Sequence, residues 1–133
     1  MEPISIGKHC RVSFIAAIGC AKIEWLGMPT SDEFRLGCNA VLNILKENGL
    51  SKVLVDNSAA TLFTVADQRW LNEDWLPRAE RLGYRYSATV LGNTDAFVKF
   101  AAQSIASKRD NSKFISKFFK TVDDAVEWLS SVN

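Results

Sequence analysis

Hydrophobic positions along the chain change their period several times, and each change marks an element. In residues 11–17 and 21–26 apolar and polar side chains alternate on either side of Gly19, the pattern of two half-buried strands joined as a hairpin. The period then lengthens. Phe34, Cys38, Val41, Leu42 and Leu45 recur at three and four, which predicts a helix over 31–48 with Gly49 as its left-handed stop. A short and almost wholly apolar run, 52–56, predicts a central strand covered by helices. Helical spacing returns over 65–82, with Leu71, Trp75, Ala79 and Leu82 on one stripe and Gly83 after it. Pro77 lies inside that stretch; lacking an N–H, it predicts a kink or a second helix start. Residues 84–91 and 113–119 are strand-like. Phe97, Ala101 and Ile105 predict a helix over 95–107, and Val122, Ala125, Val126 and Leu129 a last one over 122–131.

Helix starts are written into the chain separately. Thr30 and Glu33 have capping-box spacing, in which each side chain bonds the other residue's backbone N–H. Thr64 with Asp67 and Thr121 with Asp124 repeat the spacing, and Asn93-Thr94-Asp95 offers a simpler cap. The resulting order is ββαβαβαβα. It predicts a single α/β domain over 1–133, with a mixed sheet in which parallel βα units follow an N-terminal antiparallel hairpin.

Composition narrows the class. A chain of 133 residues with 47% apolar and 23% charged residues can bury a core without disulfides or metal. Sixteen Lys and Arg against fifteen Asp and Glu leave +1, which argues against a nucleic-acid binder. Lys99, Lys108, Arg109, Lys113, Lys117 and Lys120 face only Asp110 in their segment, and read as a solvated strand and helix edge. Cys10, Cys20 and Cys38 are widely spaced and His9 is the single histidine, so no zinc site is expected; reduced thiols suit a cytoplasmic protein. No segment is long and apolar enough for a transmembrane helix. Ala17-Ile18-Gly19-Cys20 loosely matches a lipoprotein cleavage box, but cleavage there would remove what reads as the first strand.

Five stretches run in order across nearly the whole chain: Ile23-Glu24-Trp25-Leu26-Gly27; Thr30-Ser31-Asp32-Glu33-Phe34-Arg35; Leu54-Val55-Asp56-Asn57; residues 67–78; and Phe118-Phe119 followed by Ala125-Val126-Glu127-Trp128-Leu129. Together they resemble the STAS or SpoIIAA-like superfamily, in particular its small bacterial STAS-domain proteins, with 67–78 the most specific part. The resemblance implies a SpoIIAA-like fold akin to CRAL-TRIO lipid-transfer domains. In the anti-sigma factor antagonists of that superfamily, a serine at the start of the helix after the third strand is phosphorylated by a partner kinase. Laying Leu54-Val55-Asp56-Asn57-Ser58 on that motif brings the position to Ala66, which has no hydroxyl. Ser58, Thr61 and Thr64 remain as acceptor candidates, Thr64 at cap spacing.

Candidate chemistry centres on 52–78, beyond a strand's carboxyl end, where open α/β sheets build sites. Asp56, Asn57 and Ser58 can bind a polar ligand or form a local turn. Phe63, Trp70, Trp75 and Arg78 complete the ligand- or partner-binding set. Trp75 fits the inward stripe; Trp70 does not, and suits a pocket or partner contact. Arg78 has i,i+4 spacing to Asp74. Glu73 and Asp74 point about 100° apart on a helix and make no facing pair. Without a Ser-His-acid set or a Gly-rich phosphate loop, no enzyme activity, cofactor or metal is expected. The leading reading is a non-catalytic interaction or regulatory module, self-associating as a homodimer through Trp25, Phe63, Trp70 and Trp75. The alternatives are a carrier of a small apolar or lipid-like ligand, and an anti-sigma factor antagonist-type regulator.

Overall fold

Alternation in the N-terminal residues produces antiparallel pairing, and the apolar runs after it produce parallel pairing. A computed structural model describes residues 3–92 and 96–132, with the side chains of Ala96 and Phe97 excepted. The proposed cap at Asn93-Thr94-Asp95 lies outside them. Strands β1 (Ile4–Ile6), β2 (Cys10–Ile15) and β3 (Cys20–Gly27) pair antiparallel; β4 (Lys52–Ala60), β5 (Tyr86–Val90) and β6 (Ile115–Phe119) continue the sheet in parallel. Among the described residues these form one six-stranded sheet in the order β1-β2-β3-β4-β5-β6. The three residues of β1 are too few to show a period, and pairing with β2 creates that strand.

Between these strands run α1 (Ser31–Asn48), α2 (Val65–Trp70), a π-helical turn (Leu71–Trp75), α3 (Leu76–Arg81) and α4 (Ala96–Ser107), and α5 (Val122–Ser131) follows β6. Each parallel connection advances the sheet by one strand in the same direction. Right-handed crossovers then put α1 through α4 on one face, while α5 packs on the other through Leu54, Ala88, Val90, Ala125 and Leu129. The front core is larger, with Trp25, Phe34, Val41, Leu45, Val53 and Trp75 in one cluster.

Three threonine caps form as the spacing predicts. Thr30, Thr64 and Thr121 hydroxyls accept from the backbone N–H of Glu33, Asp67 and Asp124. The first is a full capping box, because Glu33 Oε1 also accepts from Thr30 N–H at 2.9 Å. Glu33 reaches further than a cap requires. It accepts from Lys8 N–H at 2.9 Å and lies 2.8 Å from His9 Nδ1, so one carboxylate ties the β1–β2 turn to the start of α1. Gly7 makes this possible: its φ is +63° and a Cβ there would collide with the Glu33 carboxylate.

The Thr30 backbone N–H, followed by His9 and the Lys8 N–H, holds the Glu33 carboxyl down at about 2, against an ordinary 4.5. A depressed folded-state value means that this stability is present above the unfolded value and is lost as pH falls through the folded one. Glu33→Gln should therefore lower stability at neutral pH, and the gap between variant and native protein should close between pH 4.5 and about 2. Urea unfolding at several pH values checks this; a gap that stays constant down to the acid limit would contradict it.

Residues 65–81 form a continuous helical path with a wide turn in it. Leu76 N–H bonds Leu71 O, five residues back. In an unbroken α-helix the Pro77 ring would meet the carbonyl of Glu73, and the wider turn gives it room before α3 begins. Of the two outcomes expected at Pro77, the structure has a helix start: α3 opens at Leu76 with Pro77 in its first turn, directly after the π-turn.

Candidate functional site

The strand carrying Asp56, Asn57 and Ser58 does not end there. β4 continues to Ala60 because β3 pairs with it as far as Gly27↔Ala60. Between Glu24↔Asp56 and Leu26↔Ala59 the register shifts, so β4 carries one extra residue and bulges at Asn57–Ser58. Asp56 is buried, and its Oδ1 accepts from Ser58 N–H at 3.0 Å and Ser58 Oγ–H at 2.6 Å. The local bonding expected of a turn is therefore present, but inside a bulged strand.

Alternation along the strands builds a cavity on the front face. Val53, Val55 and Asn57 of β4, Ser87 and Thr89 of β5, and Ser116 and Phe118 of β6 form its floor. Phe34 and Cys38 of α1, Leu71 and Trp75 of the π-turn, and Ala102, Ile105 and Ala106 of α4 form walls and roof. The free volume is about 80 Å³. Trp75 is fixed by Nε1–H donation to Cys38 O at 2.7 Å and by edge contact with Tyr84. The π-turn is locked to α4 by Asn72 Nδ2–H donation to Ile105 O at 3.1 Å. Arg109, just after α4, donates from Nη1 to Tyr84 Oη at 3.0 Å and from Nε to Asn72 Oδ1 at 3.5 Å.

The structure divides the sequence candidates. Asn57, Phe63 and Trp75 line the cavity; Asp56, Ser58, Trp70 and Arg78 do not. Phe63 and Trp75 are core residues, as is Trp25, so three of the four expected docking aromatics are spent inside the domain. Trp70 is half-buried beside Phe34, with the guanidinium groups of Arg35 and Arg78 at 5.3 and 5.8 Å from its ring. Arg78 also pairs with Asp74 at 3.0 Å, the expected i,i+4 bridge. Ser58 and Thr61 are exposed; Thr64 is occupied as a cap, and Ala66 is exposed in the first turn of α2. Ser87, Thr89, Ser116 and Arg109 escaped sequence reasoning. The polar period-two pair in β5 was the available signal, since both faces of that strand are covered.

Burial pushes the thiols up, Cys10 to about 12 and Cys20 to about 11, while Cys38 in the cavity wall is raised further by Cys10 and Asp67. All three are protonated at neutral pH and are poor nucleophiles. Among the described residues no three His, Cys, Asp or Glu side chains converge as metal ligands, and no helix is long and apolar enough to cross a membrane. The arrangement is suited to holding a small molecule or presenting a surface.

Comparison with solved structures decides the fold. The unphosphorylated form of the anti-sigma factor antagonist SpoIIAA superposes with a TM-score of 0.63 at 10% identity, covering 93% of this chain and 98% of that one. The chain has the SpoIIAA-like fold. No protein-family model matches the sequence, and neither does any curated protein. Within the SpoIIAA-like fold the cavity lies between the sheet and the α1–α4 layer, and the exposed Ala66 stands at the opening of α2.

Proposed function

We propose that this chain is a non-catalytic STAS-like module that acts in the cytoplasm by binding protein, including a second copy of itself. The observation that carries this reading is an apolar rim at one end of the sheet. Met28 after β3, Leu62 after β4 and Val65 at the start of α2 are 52%, 38% and 70% exposed. Their loops are held side by side by Thr61 N–H donating to Gly27 O at 2.8 Å. Exposed apolar side chains gathered on adjoining loops are what a contact surface requires. Likeness to an anti-sigma factor antagonist supports a regulatory role. With alanine at position 66, control by phosphate would have to use Ser58, Thr61 or Thr64.

Light scattering on the purified chain tests the reading. A species of twice 14.8 kDa is expected at tens of micromolar, and Val65→Glu with Leu62→Lys should return it to a monomer without loss of thermal stability, because both side chains are exposed. A native monomer at that concentration would overturn self-association.

The cavity favours a second reading, a carrier of a small apolar ligand. Its size argues against an intact lipid: pockets for drug-sized ligands measure about 300–1,000 Å³, several times the 80 Å³ present.

A further inference from the structure

The cavity is apolar in its walls but carries hydrogen-bond donors at one end. Ser87 and Ser116 are register partners on β5 and β6, one residue into each strand, and both face the cavity. Tyr84, two residues before β5, and Arg109, in the connection leading to β6, line the same cavity. Sequence position and register thus gather the four at the N-terminal end of these strands. Three features of this group are incomplete. Ser116 Oγ is buried without a hydrogen-bond partner, an unsatisfied group that a bound acceptor would relieve. Tyr84 Oη accepts from Arg109, and a phenol that accepts still has its own proton to donate. Arg109 is half-buried and donates to a hydroxyl and an amide oxygen. Among the described residues no carboxylate lies within 4.0 Å of its guanidinium.

Charge and size then specify an occupant. Arg109 is the only charged side chain among the described residues lining the cavity. An anionic ligand would complement it, and an ionised carboxylate accepts from up to four donors without needing an acceptor in return. The volume sets the tail. An apolar cavity of about 150 Å³ admits benzene with its six heavy atoms, so 80 Å³ suits roughly three or four, carboxylate included.

We propose that this cavity binds a small monocarboxylate of about two carbons, its carboxylate held by Arg109, Tyr84 and the Ser87–Ser116 hydroxyl pair and its methyl taken by the apolar walls. The proposal rests on the carrier reading and narrows it from an apolar ligand to a small anion.

Amide NMR of the full chain tests it, with sodium acetate titrated against sodium chloride at equal ionic strength. Acetate should give saturable shifts at Ser87, Ser116 and the Trp75 indole N–H, and acetamide, its neutral isostere, should bind about tenfold or more weakly. Arg109→Gln should abolish saturation. Ser116→Ala removes a hydroxyl that has no protein partner, so it should leave the fold intact and weaken acetate about threefold to tenfold; it decides the matter if Arg109→Gln unfolds. Equal binding of acetamide, or unchanged affinity in Ser116→Ala, would overturn the proposal. Tighter binding of hexanoate or hexanol would overturn it while leaving an apolar carrier standing. No saturable shift from acetate, hexanoate or hexanol would remove both.

Discussion

Truncating Trp75 to alanine is expected to cost the fold about 4 kcal/mol, the range for deleting a large buried aromatic. Trp75 is 4% exposed, packs edge-on to Tyr84 and donates its indole N–H to Cys38 O. The upper part of the range applies because the side chain borders an existing cavity. Removal would merge two empty volumes, and the more rigid the surrounding frame, the less of the hole collapses. Against a total stability of about 5–15 kcal/mol, the variant should be near its unfolding midpoint under mild stress. Trp75→Phe keeps most of the packing and loses the indole hydrogen bond, at about 1–2 kcal/mol. Urea denaturation followed by far-ultraviolet dichroism measures both. An alanine variant less than about 1.5 kcal/mol weaker than native would mean that Trp75 is not packed as described.

Gly37 should be the least replaceable residue of α1. Alanine there would normally strengthen a helix by about 1 kcal/mol. Here its Cβ would lie 2.7 Å from Cys10 Sγ and 3.0 Å from the Trp25 ring. Neither neighbour can withdraw easily: Cys10 is fully buried on β2, and Trp25 is stacked on Phe34 at 4.9 Å. Overpacking of this kind costs about 1–3 kcal/mol, and two tight contacts put Gly37 at the upper part of that range, above the helix gain. Gly37→Ala should therefore destabilise, and Gly37→Val more so. The cause can be isolated. Cys10→Ala removes the nearer obstacle, so the double variant should recover part of the loss, giving a favourable coupling in a double-mutant cycle. Strictly additive effects would place the damage elsewhere.

The parts of this fold visible in sequence are those fixed by neighbouring residues. Thr30 with Glu33 and Thr64 with Asp67 announce helix starts because a cap is local chemistry. Trp75 and Trp70 separate correctly into buried and half-buried because helical phase is local too. What stayed hidden depends on a distant partner. β4 runs past Asp56 because β3 is there to pair with it, although Asp56, Asn57 and Ser58 alone suggest a turn. The reach of Glu33 to Lys8 and His9 spans more than twenty positions, and its capping role gave no hint of it. Arg109 looked like one more cation in a basic stretch until the return of the chain to β6 set it beside Tyr84. The candidate site is legible in part: Asn57, Phe63 and Trp75 are candidates from sequence and line the cavity, and Ser87 and Thr89 alternate with Ala88 and Val90 on a strand that ought to be apolar on both sides.

The succession of strands has a consequence for synthesis. Each strand lies beside the one made just before it, so a chain leaving the ribosome can extend the sheet at its free edge, one βα unit at a time. No strand has to be inserted between two that are already joined. Closing each new parallel unit costs the entropy of one crossover, such as that from Gly27 to Lys52, rather than of the whole chain, and the portion already made can pair its strands before the last residues appear.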